Sequence, residues 1–118
     1  VIETKLVTQL KPIVGGKVFA DVAPSGTAAP WAVYQQVGGK PTQYVEQAMA
    51  PLRNGLFQIA VWATTRSEAT MKSLLIEREM LKLDMAVEVV GSLRATYEPD
   101  TKLHGAIQDF SIWENTDE

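Results

Sequence analysis

Cysteine is absent from this 118-residue chain, and histidine occurs once. Without cysteine there can be no disulfide, no Cys-ligated zinc, no iron–sulfur cluster and no cysteine nucleophile. The lack of disulfides is in keeping with a reducing cytoplasm, although export does not demand cysteine. His104 alone makes no HExxH motif and no histidine-based metal cluster. No apolar run reaches the length of a transmembrane helix, and the opening VIETKLVTQL lacks the basic flank and long apolar core of a signal peptide. Because the chain opens on Val1, an initiator residue or a short leader is expected to precede it. A basic excess is missing too. The 11 Lys and Arg against 14 Asp and Glu give a net charge of -3, the reverse of the balance that phosphate contacts favour in a dedicated nucleic-acid binder.

What is present suits a packed core. Hydrophobic residues make up 46% of the chain, enough for one domain spanning residues 1–118 that buries roughly two-thirds of its unfolded surface. The centre of that domain is the block Phe57–Leu83, FQIAVWATTRSEATMKSLLIEREMLKL. Phe57, Ile59 and Val61 alternate with Gln58, Ala60 and Trp62, the period of a strand. Thr65 and Glu68 have capping-box spacing and open a helix over 66–83. Met71, Leu74, Leu75 and Leu81 are the expected apolar face of that helix, and Lys72, Glu77, Arg78, Glu79 and Lys82 most of its polar face. With charges of both signs, this is a solvated face and not a phosphate-binding stripe.

Around this block the other elements follow in order. Ile2, Leu6, Val7 and Leu10 share one face of a short helix over 2–11, which Pro12 should stop before a turn at Val14-Gly15-Gly16. A possible short strand at 18–20 leads into an irregular loop to Pro30, which either contacts a partner or wraps one edge of the domain. Trp31–Val37 reads as a strand with Val33, Gln35 and Val37 on one face and Ala32, Tyr34 and Gln36 on the other. Asn54-Gly55 is a hairpin turn signal that predicts a strand near 43–52 beside the one at 56–63, with Arg53 exposed at the tip and Pro51 at an edge or irregular pairing. A strand from Val87 to about Thr96, with Gly91 as a candidate bulge, turns at 97–101 into a last strand over 103–113. There Phe110 and Ile112 share one face and Ile107 and Trp113 the other, and the tail ENTDE is expected to fray. The result is an α+β fold: a mainly antiparallel sheet of about five strands, two helices on one face, in the order α-β-β-β-α-β-β. Trp31, Tyr34, Trp62 and Trp113 then exceed what one two-layer core consumes. The surplus is either an interface between copies or a face shielded by the long loop.

Chemistry is harder to find. His104 beside a glycine reads as an ordinary strand residue, and Ser25 in PSGTA is not in a nucleophile elbow. Gly15-Gly16 and Gly38-Gly39 lack the strand–turn–helix setting of a phosphate cradle. Glu98 and Asp100 in a turn, with Asp109 on the last strand, are the one route to acid–base or metal chemistry, and local turn bonding accounts for them more simply. The residues therefore nominate no catalytic group, no metal ligand and no cofactor. A small acid-dependent hydrolase and a peptide-binding adaptor with an open sheet edge remain as other readings.

Three segments carry a family resemblance: VFADVAPSGTAAPWAVYQQVGG at 18–39, FQIAVWATTRSEA at 57–69 and TYEPDTKLHGAIQDFSIW at 96–113. In order and spacing the chain resembles the small tail-completion, or tail-terminator-like, proteins of long-tailed bacteriophages and prophages. The resemblance implies a non-enzymatic virion protein at the head-proximal end of the tail, assembled in the host cytoplasm, that forms a ring, commonly hexameric. That ring would cap the tail tube and join it to the head. The implied partners are further copies of the chain, the major tail tube protein and a head-closure or connector protein, with DNA only as passing cargo and no membrane. Another head–tail connector or a minor tail protein is the other role in this class. Pro24, Pro30, Tyr34, Trp62, Tyr97 and Trp113 match the family's framework. Pro24, Ser25, Pro30, Trp31, Tyr34, Gln36, Trp62 and Trp113 are the candidate interface or loop-framework residues, and segments 20–30 and 40–52 the candidate partner contacts.

Overall fold

The computed structural model describes residues 2–40 and 52–115. Helix α1 (Ile2–Leu10) buries Ile2, Leu6 and Leu10, one residue per turn on a single face. It stops where Pro12 enters a single 3-10 turn, Lys11–Ile13, and Gly15 and Gly16 follow at φ of 62° and 85°. Those two angles lie in the left-handed region where a Cβ is costly. Strands β1 (Val18–Ala20), β2 (Trp31–Gly38) and β3 (Leu52–Ala63) precede helix α2 (Arg66–Met80), and β4 (Ala86–Glu98) and β5 (Leu103–Asn115) follow it.

The five strands form one sheet in the order β1-β2-β3-β5-β4. It is α+β as expected, with both helices on one face, but the sheet is mixed. β1 runs parallel to β2 while the other pairings are antiparallel. The loop between them makes that possible, since parallel neighbours cannot be joined by a tight hairpin.

Asn54-Gly55 is not a turn. Both residues lie inside β3, opposite Trp113 and Ile112 of β5. The Asn54 amide donates to Ser111 Oγ at 2.8 Å and to the Ile112 carbonyl at 3.2 Å, so it belongs to the ladder and not to a hairpin tip. Gly55 serves close packing: a Cβ there would stand 2.5 Å from Cε2 of Phe57. Arg53 is exposed as expected, yet it sits in strand, opposite Glu114. The strand expected near 43–52, the placement of Pro51 and the end of the tail fall outside the described residues, except that Leu52 already belongs to β3.

Alternation along the strands sorts the core. Phe57, Ile59, Val61 and Ala63 of β3 and Ala106, Phe110 and Ile112 of β5 are buried beneath the helices, with Ala32 and Tyr34 of β2 beside them. Burying Phe57 and Phe110 contributes about 1.5–3 kcal/mol each. Gly91, at φ 77°, is the expected bulge, and the β4–β5 register slips between Val90 and Arg94.

Helix α2 starts as read: Thr65 is extended, and its Oγ1 accepts the Glu68 N–H at 3.1 Å. Its orientation is not as read. The buried residues are Ala69, Ser73, Ile76 and Met80, whereas Met71, Leu74 and Leu81 are 61%, 53% and 55% exposed. At 100° per residue Met71, Leu74 and Arg78 lie opposite the buried stripe. Apolar residues occupy both sides of this helix, so periodicity alone does not choose between them. Small Ala69 and Ser73 let the backbone approach the sheet, and this rotation aims Glu77 at Gln108, Lys72 at the Ile13 carbonyl (3.0 Å) and Glu79 at Gln9 (2.8 Å). The last two bonds also hold α1, which at nine residues is marginal on its own.

Gly55→Ala is expected to cost about 1–3 kcal/mol, because the Phe57 ring has no free space to yield. Denaturant unfolding checks this: the midpoint should fall with the slope unchanged. An unchanged midpoint would contradict the close packing described.

Candidate functional site

The face of the sheet away from the helices is built from five transverse rows set by strand register, the last of them Asn54, Trp113 and Ala86. Trp31, Trp62, Gly105 and Thr96 form the first; Val33, Ala60, Ile107 and Arg94 the second; Gln35, Gln58, Asp109 and Val90 the third; Leu56, Ser111 and Glu88 the fourth. The first two rows are largely apolar and the third is amide and acid. Trp62 lies over Gly105, where a Cβ would meet the indole Cζ3 at 2.8 Å, so a glycine in β5 is the seat for the ring. Asp109 is held by Arg94 at 3.5 Å in a half-exposed pair worth little by itself.

Over the Trp31 and Trp62 end, the loop after β1 raises one wall. Asp21, Val22, Ala23, Trp31, Val33 and Trp62 are among the residues that enclose an open groove of about 340 Å³. The loop is fastened at both ends: the Asp21 N–H donates to the Tyr34 carbonyl at 2.9 Å, and Lys17 Nζ reaches the Ala28 carbonyl at 2.7 Å. Between these ties, Thr27 donates to the Pro24 carbonyl from both its N–H and its hydroxyl. Val22 is 74% exposed beside the groove.

The structure brings only some of the nominated residues together. Pro24 and Ser25 are exposed on the loop bend, Pro30 leads into β2, and Trp31 pairs with Trp62 on the adjacent strand, both lining the groove. Trp113 is on the same face but eight residues along β5 from Gly105, roughly 27 Å away. Gln36 is exposed on the helix side, where it lines a small cavity of about 60 Å³ with Ile2, Glu3 and Arg53. Tyr34 is in the core under α1 and offers nothing to a partner. Its hydroxyl is pushed above the ordinary tyrosine range, first by burial and then by the Glu3 carboxylate it bonds. Sequence periodicity also missed one apolar surface, the outer stripe of α2, because its residues were assigned to the core.

The carboxylates do not converge. Glu98 Oε1 accepts the Asp100 N–H at 3.0 Å, which is turn bonding, and six β5 residues, about 20 Å, separate the Glu98 partner Leu103 from Asp109. Among the described residues no three His, Cys, Asp or Glu side chains group as metal ligands. His104 packs at 4.8 Å against the ring of Tyr97. Nor is any helix among the described residues long and apolar enough to cross a membrane.

A groove lined by tryptophans and an exposed apolar helix stripe are surfaces suited to contact with other proteins. The chain belongs to the family described as tail completion protein gp17, whose model matches residues 4–115, and it is therefore a structural phage tail protein and not an enzyme. Among solved structures it is similar to the gp17 protein of bacteriophage SPP1. That likeness has a TM-score of 0.57 at 14% identity, covers 99% of this chain and 91% of that one, and establishes the shared fold. A crystal structure from Akkermansia muciniphila is also similar, with a TM-score of 0.47 at 14% identity, covering 94% of this chain and 46% of that one. No curated protein sequence matches the chain.

Tyr34 generates a pH prediction. A hydroxyl held protonated by the fold stabilises it fully below pH 10, and that contribution is lost as the unfolded tyrosine ionises above pH 10. Tyr34→Phe should lower stability near neutrality by about 1 kcal/mol through the lost hydrogen bond. The gap to the unaltered protein should then close as pH rises beyond 10. Denaturation at stepped pH measures it, and a gap that widens would contradict the assignment.

Proposed function

We propose that this protein completes the tail by forming a closed ring, hexameric in the simplest case, on the head-proximal end of the tail tube. The ring stops tube growth and presents the surface that the head-closure or connector protein meets. Family membership supports a role in tail completion. The observation that carries the reading further is the groove around Trp31 and Trp62, an apolar concavity on a sheet face that no element among the described residues fills. Such a surface is an association site in a protein that assembles and a liability in one that does not.

In this reading Trp31, Trp62 and the loop residues Pro24, Ser25 and Pro30 serve the lateral contact between copies. Gln36 and Trp113, which lie away from the groove, are left for the tube and the head, together with segment 40–52. Capping is geometric. A heterologous contact that closes on itself leaves no free lateral surface, and its two ends differ, one matching the tube and the other not. The net charge of -3 suits a passage that DNA traverses without being gripped.

Electron microscopy of particles assembled without this protein tests the proposal. Overlong tubes and unattached heads are expected, and tails of normal length joined to heads would sink it. In solution the protein should sediment above monomer mass as concentration rises, alone or with purified tube. A strict monomer in both settings argues against a ring.

A further inference from the structure

The groove needs an occupant, and the chain itself carries a surface of the right form. The outer stripe of α2 comprises Met71 and Leu74, with Arg78 between them and Leu81, all exposed and all on the side of the helix turned away from the sheet. We infer that this stripe of one copy seats in the Trp31–Trp62 groove of the next. The inference rests on the ring reading and specifies which two surfaces make its lateral contact.

Three observations point this way. The first is length. Met71 to Leu81 spans about 15 Å of helix, and Trp31 to Gln35, the β2 edge of the groove, spans about 14 Å of strand. The second is charge. Arg78 interrupts the apolar stripe, and Asp21, exposed, stands in the wall of the groove. The docked pair brings opposite charges together within an otherwise apolar contact, which fixes register and favours encounter. The third is placement. α2 packs on one face of the sheet and the groove opens on the other, so each copy presents the stripe on one side and the groove on the opposite side. Contact between the two is necessarily heterologous and propagates from copy to copy, as a ring requires.

A helix-to-helix contact is the competing use of the stripe. Arg78 lies near the middle of the stripe, so a two-fold pairing of stripes would bring two arginines together near the axis, and like charges at an interface are costly. It would also leave the groove empty and stop at a dimer. The helix-in-groove contact instead repeats between copies what α2 does within one, laying a helix on a sheet.

The absence of cysteine allows a clean test. Leu74→Cys places a thiol on the stripe and Val33→Cys places one in the groove, both as small changes that the fold should tolerate. Each variant is treated with a short bismaleimide alone and in a 1:1 mixture, under conditions where the unaltered protein associates, with tube ends added if association needs them. The mixture should give a covalent dimer at least tenfold above either variant alone, and a chain carrying both thiols should give a ladder of multimers. Leu74→Cys or Val33→Cys linking to itself as strongly as the mixture would overturn the inference in favour of a two-fold contact. So would a mixture that stays unlinked while the unaltered protein associates. If the unaltered protein associates under no condition, the ring reading fails and this inference with it.

Discussion

The pairing of Phe57 with Phe110 at the centre of β3 and β5 is the constraint on which the remaining structure depends. These strands run antiparallel in unbroken register through twelve residue pairs, from Leu52 opposite Asn115 to Ala63 opposite His104. Both rings are essentially inaccessible to water, at 2% and 0%. Because side chains alternate strictly, a slip of one residue between the strands would put Phe57, Ile59 and Val61 on the opposite face from Phe110 and Ile112. Both faces are thus decided at once: the one that receives α1 and α2, and the one that presents Trp31 and Trp62.

Between the two layers Ser73 and Gln108 are the buried polar residues among those described. Gln108, 2% exposed, donates from Nε2 to Glu77 Oε1 at 2.8 Å and to the Gly91 carbonyl at 3.0 Å. It therefore ties β5 to α2 and to the bulge in β4. Its Oε1 has no hydrogen-bond partner among the described residues, and an unsatisfied buried acceptor costs on the order of 1–3 kcal/mol. What that side chain supplies is orientation. It holds Glu77 on the flank of α2 that meets β5, and so supports the rotation in which Met71 and Leu74 are exposed. The exposed stripe follows from the same contacts that seat the helix.

The sequence was legible wherever a local rule and the tertiary structure agree. Alternation in β2, β3 and β5, the Thr65 cap, the stop at Pro12 and the bulge at Gly91 are set by neighbours within a few residues, and they read correctly. Errors arise where one residue type answers two demands. Asn-Gly meets the needs of a hairpin turn, but here Asn54 bonds across to Ser111 and Gly55 makes room for Phe57, and both partners are set by long-range packing. In α2, four large apolar residues outweigh Ala69 and Ser73 on any scale of hydrophobicity, yet small residues are what a helix uses to lie close on a sheet. The parallel β1–β2 pairing has no sequence signature in three residues. Of the candidate site, the pairing of Trp62 with Trp31 comes from the strand register, whereas the placement of Trp62 away from the helices was readable from alternation. Tyr34 was not, because an aromatic residue in a half-buried strand reads the same whether it meets the core or a partner.

That ambiguity is general for proteins whose work is assembly. A catalytic site needs particular groups at particular distances, and such groups leave motifs. An assembly surface draws its energy from apolar area, about 25 cal/mol per Å² removed from water, and the residues that supply it are those that build cores. Composition can therefore reveal that a chain holds more apolar side chain than one core consumes, without saying which residues are in excess. Only the structure separates Ile76 and Met80, which the fold uses, from Met71 and Leu74, which it leaves exposed one turn away. The excess falls on two opposite sides of the subunit and not in one patch. A single patch would favour a closed pair, whereas two opposed, unlike surfaces favour a series of copies.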